Sequence, residues 1–162
     1  MILFRLTLLF RSFFSPILYW IFRLTIYRGK LPNIWVEVRE YSMEQFDSFI
    51  NTFPYRYDFW FADFTLREHD FFFVEREHNR DCDDWAQMWY WWAEHNSYKP
   101  YLVAVCNGAV WKLGHKICVF EKDGEYFLAD YHIRGKFSSL EEAVNSLRGN
   151  GYPDLLWVIT KG

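Results

Sequence analysis

Three side chains in the second half of the chain have the types and the order that nucleophilic catalysis by a thiol requires. Cys82 stands where a helix is predicted to begin, His115 opens a predicted strand, and Asp130 closes the next strand. A thiolate attacks a carbonyl carbon, an imidazole carries the proton, and a carboxylate fixes the imidazole tautomer. The three residues therefore predict acyl transfer through a cysteine, provided that the fold brings Cys82 to the other two.

The helix that carries Cys82 is predicted to begin just after Asp81, which can cap it. Asp83 and Asp84 lie in its first turn, where carboxylates suit the helix dipole. The next positions are apolar most of the way round, which predicts a helix buried on most sides: Trp85, Ala86, Met88, Trp89, Tyr90, Trp92 and Ala93. The dipole lowers the pKa of a thiol at this position, and the three acids raise it.

A β-hairpin is predicted to bring His115 and Asp130 together. Asp123-Gly124 between two apolar runs is a strong turn signal, because Asp-Gly supplies the positive φ angles of a tight turn. In the resulting register Asp130 lies opposite Ile117, and His115 lies near His132. The diagonal from His115 to Asp130 is then about 7–8 Å between backbones, which two polar side chains can bridge.

The remaining segments predict an α+β chain in which the central helix packs against an antiparallel sheet of four or more strands. Two capping boxes, Ser42 with Gln45 and Ser139 with Glu142, mark further helices that run to about Thr52 and to Leu147. Strands are predicted over 34–38, 101–106, 116–121, 125–130 and 155–159, and 71–74 is a buried strand or packing segment.

Five short motifs in this order resemble the bacterial and phage transglutaminase-like cysteine proteinases of the papain-like superfamily. They are Asp81–Ala86, Leu102–Val105, Gly114–Glu121, Asp123-Gly124 and Tyr126–Asp130. The resemblance covers roughly 78–135, about a third of the chain. It implies a papain-like, transglutaminase-like α+β core with Cys82 as nucleophile, His115 as base and Asp130 as the orienting acid. It also implies a peptide or peptidoglycan amide as substrate and assigns a cysteine peptidase domain to 33–162.

A second papain-like branch, the NlpC/P60 peptidoglycan hydrolases, shares Asp-Cys followed later by Gly-His before a strand. That branch usually continues Ser-Gly after the cysteine, so Asp83 and Asp84 favour the first branch. This chain has Asp81 where the first branch commonly has glycine, and Tyr131 where it often has asparagine.

Residues 1–32 predict a separate apolar, basic arm. They carry five basic and no acidic residues, so the other 130 residues have a net charge of −8. A membrane span needs roughly 20 apolar residues, and the longest charge-free run here, Ser12–Phe22, has 11. A helix that lies on a membrane or docks to a protein partner, a span that tolerates arginines, and an arm folded onto its own domain remain open. Membrane, virion and cytoplasmic locations remain open with them.

Composition and missing motifs exclude several other classes. The acidic body argues against nucleic-acid binding, and the chain has no P-loop, GxGxxG, HExxH or CxxC motif, so no cofactor is expected. Three irregularly spaced cysteines do not form a disulfide framework. A zinc site that combines cysteines with His115 matches no standard finger spacing, so no metal is expected.

Two hypotheses of different classes follow. The first is a thiol hydrolase that cleaves an amide bond through an acyl-enzyme at Cys82. The second is a catalytically inactive relative that serves as a structural or docking subunit in a virion or at a membrane. The apolar arm and the acids around the thiol favour the second.

Overall fold

The computed structural model describes residues 35–53, 81–108 and 114–161. The arm over 1–32 and the predicted packing segment over 71–74 lie outside these ranges. Within them, no helix is both long enough and apolar enough to cross a membrane.

The described residues form an α+β fold with one five-stranded antiparallel sheet, in the order β4-β3-β2-β1-β5. The helices are α1 Trp35–Val38, α2 Met43–Ile50, α3 Cys82–His95 and α4 Leu140–Asn145, which continues as a 3-10 turn over Ser146–Asn150. The strands are β1 Lys99–Asn107, β2 His115–Lys122, β3 Glu125–Asp130, β4 His132–Phe137 and β5 Leu155–Lys161.

Local sequence signals set the bounds of several of these elements. Ser42 and Gln45 form the predicted capping box of α2, and the Ser139 hydroxyl accepts from the Glu142 backbone N–H at the start of α4. The β2–β3 hairpin turns at Asp123-Gly124, where both residues have positive φ. Its register pairs Cys118 with Ala129, as the turn position predicts.

The sheet separates two apolar clusters. On one face α3 packs over the sheet and against α2, and all its residues from position 84 to 93 are buried. Phe46 of α2 is fully buried against α3, with ring centroids 5.0 Å from Trp89 and 5.3 Å from Trp92. On the other face α4 covers a smaller cluster: Val103, Val105, Ile117, Val119, Leu128, Ala143, Val144, Leu147 and Leu155. The predicted buried helix on an antiparallel sheet is confirmed.

Two local predictions are wrong. Within the segment predicted as a strand over 34–38, Trp35–Val38 forms a helical turn instead, which places Val38 in the α3 cluster. That packing outweighs the strand propensity of its β-branched residues. His132 does not lie beside β2 either. Tyr131 adopts a φ of 64° and reverses the chain, so His132 begins β4 on the far side of β3.

One buried hydrogen bond ties the core to that reversal. The Trp89 indole N–H donates to the Tyr131 carbonyl oxygen at 3.2 Å. We expect Trp89→Phe to lower the free energy of unfolding by about 1–3 kcal/mol, because the partly buried carbonyl loses its donor. Urea unfolding followed by circular dichroism measures this. Trp157→Phe is the matched control, because Trp157 is half-buried on the edge strand β5. Equal losses of unfolding free energy in the two variants would contradict the stabilising role of the Trp89–Tyr131 hydrogen bond.

Candidate active site

Cys82 is the first residue of the 14-residue helix α3, as predicted. Asp81 caps the helix, and its Oδ1 accepts from the Asp83 backbone N–H at 3.1 Å. The thiol is partly buried. It therefore lies at the end of a helix dipole that favours negative charge.

His115 and Asp130 are in direct contact. The His115 Nε2 lies 2.6 Å from the Asp130 Oδ1, and the two side chains are only 18% and 12% exposed. A short hydrogen bond to a carboxylate is stronger in a site that is largely shielded from solvent than in water. It places the proton of the neutral ring on Nε2, so that Nδ1 has the free lone pair.

Arg134 is a partner of Asp130 that the sequence did not reveal. Its Nη2 lies 3.5 Å from the Asp130 Oδ2, across the turn between β3 and β4. The two carboxylate oxygens therefore face different donors, one from His115 and one from Arg134. The only sequence signal for this contact is the i,i+4 spacing of Asp130 and Arg134. That spacing predicts a contact only once the chain reversal at Tyr131 is known.

Helix α3 brings Cys82 to the start of strand β2. The thiol meets Lys116 there, the residue that follows His115 in the sequence. The backbone N–H of Lys116 lies against the thiol and lowers its pKa. The Lys116 ammonium lies 3.9 Å from the Asp83 Oδ2, which joins the first turn of α3 to β2 through side chains as well. The hydrogen bonds among the described residues include none between the Cys82 thiol and the His115 ring. In ligand-free sites such catalytic contacts are often long and tighten in the complex.

The surroundings of Cys82 raise its pKa to about 12. Burial is the main cause, because it removes water from the charged thiolate, and the charges of Asp81 and Asp83 add to it. The Lys116 backbone N–H and ammonium oppose them only in part. At neutral pH the Cys82 sulfur therefore carries its proton.

His132 is outside this arrangement. Its Nδ1 lies 2.7 Å from the Asn51 Nδ2 and 3.6 Å from the Asp47 Oδ2, both near the end of α2. It therefore links β4 to α2. The predicted proximity to His115 is wrong because β3 stands between them.

Metal-binding chemistry is confined to one group within the described ranges. Asp81, Cys82 and Asp83 each offer a donor atom within 4.8 Å of the others, and His115 is not a member. Two of these side chains already contact protein groups. The Asp81 carboxylate accepts from the Asp83 N–H, and the Asp83 carboxylate lies near the Lys116 ammonium.

Cys118 is fully buried in the core and Cys106 is half-buried on β1, both as free thiols. Asn79 and His78 stand just upstream of Cys82 in the sequence, where a donor could assist an oxyanion hole with the Cys82 backbone N–H, but they lie outside the described residues.

Comparisons of the chain with family models, with curated proteins and with solved structures found no match. Functional assignment therefore depends on the geometry of the site.

Proposed function

We propose that this chain is a thiol hydrolase that cleaves an amide bond through Cys82, His115 and Asp130. We also propose that its α+β fold is that of the papain-like, transglutaminase-like cysteine proteinases. The observation that carries the proposal is the 2.6 Å contact between the His115 Nε2 and the Asp130 Oδ1. The next residue after His115, Lys116, has its backbone N–H against the Cys82 thiol. The motif order that resembles those proteinases supports it as well.

The protonated thiol gives His115 a definite role. As the Cys82 sulfur attacks the carbonyl carbon, the S–H proton passes to the His115 Nδ1, since Nε2 is engaged by Asp130. Asp130 stabilises the imidazolium that forms. The imidazolium then protonates the leaving amine as the C–N bond breaks, which leaves a thioester on Cys82. His115 next deprotonates a water molecule that attacks the thioester carbon. The C–S bond breaks, the imidazolium returns its proton to the Cys82 sulfur, and the acid product leaves.

Substrate profiling of the full chain and of Cys82→Ala tests this proposal. We expect the wild type to release new amino groups from some members of a set of peptide and peptidoglycan fragments. The Cys82→Ala variant should fall to the uncatalysed rate, because the acyl-enzyme cannot form. Intact-mass detection of a thioester adduct identifies the intermediate, and added amines distinguish transfer from hydrolysis. Cys106→Ala is the matched control, and equal loss in both variants would contradict the assignment.

One observation favours the second candidate, a catalytically inactive structural or docking subunit. Burial and the charges of Asp81 and Asp83 keep the Cys82 thiol protonated, whereas a preformed thiolate is typical of reactive cysteines. No turnover and no adduct with any fragment, from a chain whose His115–Asp130 bond is intact, would favour this candidate.

A further inference from the structure

The His115 ring lies between two tyrosine rings. Its centroid is 6.5 Å from that of Tyr131 and 6.2 Å from that of Tyr152, with interplanar angles of 28° and 20°. Tyr131 packs against the cluster under α3, and Tyr152 packs against the cluster under α4. The two rings therefore reach His115 from opposite faces of the sheet.

Tyr131 is held in its place at a cost in backbone energy. A non-glycine residue with a φ of 64° is strained by about 1–3 kcal/mol. The bond from the Trp89 indole to its carbonyl and a 5.7 Å ring contact with Trp85 fix it. Such strain persists only where surrounding contacts impose it, and it is often found at functional sites.

Tyr152 is fixed from the other side. It stands three residues before β5, and the Arg148 guanidinium donates to the carbonyl oxygens of Pro153 and Leu155 at 3.3 and 3.2 Å. These bonds hold the chain that follows Tyr152. The chain at each tyrosine is thus held by contacts that do not involve His115.

We propose that Tyr131 and Tyr152 are positioning residues for His115, an inference that rests on the proposed function. An imidazole has a broad torsional preference about its χ2 bond, so its hydrogen bond alone does not fix the plane of the ring. Two nearly parallel neighbours restrict that rotation and keep Nε2 on the Asp130 Oδ1. They also exclude water from the bond, which strengthens it. Nδ1 then keeps one direction for proton transfer.

Proton NMR of the His115 Nε2–H tests this without any substrate. The signal is identified by its absence in His115→Gln. In the wild type the short bond to Asp130 should give a low-field proton that exchanges slowly with water. We expect Tyr152→Phe, which keeps the ring, to preserve the signal, and Tyr152→Leu to accelerate its exchange by about tenfold or more. Unchanged exchange in Tyr152→Leu would overturn the proposal.

Tyr131→Gly provides an independent variant, because glycine adopts a φ of 64° without strain. We expect the His115 Nε2 proton to exchange faster in Tyr131→Gly as well. This variant tests the positioning role if Tyr152→Leu does not fold. Exchange as slow as in the wild type in either folded variant refutes the positioning role of the tyrosine that it replaces. If exchange behaves as expected but no fragment is cleaved, the positioning role stands and the proposed hydrolase fails. The two claims are thus tested separately.

Discussion

Asp130→Asn is expected to lower the turnover of a cleaved fragment by about 10³–10⁴-fold, because the orienting carboxylate is the partner of the base. An amide has one acceptor oxygen, whereas Asp130 faces His115 through Oδ1 and Arg134 through Oδ2. In either orientation the amide NH₂ points at a donor. The neutral side chain also fails to stabilise the imidazolium. Steady-state kinetics measures the loss, which should fall mainly on kcat.

Asp123→Asn is the matched control for this change. Asp123 is exposed in the β2–β3 turn at a φ of 55°, which asparagine tolerates. It should therefore retain wild-type turnover. A loss of less than tenfold in Asp130→Asn, with the fold intact by circular dichroism, would remove Asp130 from the mechanism.

Cys82 in the native protein is expected to react with iodoacetamide about 30–100-fold more slowly at pH 7 than in the urea-unfolded chain. A pKa of about 12 leaves far less thiolate than an ordinary cysteine has, and the greater nucleophilicity of a more basic thiolate compensates only in part. The native rate should rise about tenfold per pH unit up to pH 10, whereas the unfolded rate levels off near pH 9. Peptide mass spectrometry separates Cys82 from Cys106 and Cys118.

Asp81→Asn sharpens this measurement. Asparagine still caps the helix through its side-chain oxygen, so α3 is retained, while a charge that raises the pKa of Cys82 is removed. Labelling at pH 7 should become about two- to tenfold faster, and Asp123→Asn should leave it unchanged. If the wild type labels as fast as the unfolded chain, the thiol is ionised by His115, and the proton-transfer step proposed above is wrong.

The parts of the site that could be predicted are those encoded close together in the chain. His115 and Asp130 belong to one hairpin, so the turn at Asp123-Gly124 was enough to predict their proximity. The start of α3 followed from the cap at Asp81. The papain-like assignment and the catalytic roles remain predictions, since contact between side chains does not establish chemistry.

The parts of the site that could not be predicted depend on contacts between residues far apart in the sequence or on an unusual backbone conformation. A left-handed tyrosine has no sequence signal, since glycine and asparagine are the residues expected there, so the reversal at Tyr131 and the start of β4 were missed. Arg134 and Tyr152 reach the site only through that reversal and through the return of β5. The sequence left the direction of the Cys82 pKa shift open, because the helix dipole and the nearby acids act in opposite directions. Burial, the main cause of the rise, required the fold.

The strand order has a consequence for how the site is assembled. Strands β1 to β4 pair with their neighbours in sequence, which demands little loop closure, whereas β5 returns to pair with β1 across α4. Closing a longer loop costs more chain entropy. The base and its carboxylate thus come together across a two-residue turn, whereas Tyr152 reaches the site only when β5 returns across α4 to pair with β1. We therefore expect the pair of His115 and Asp130 to form before Tyr152 reaches the site.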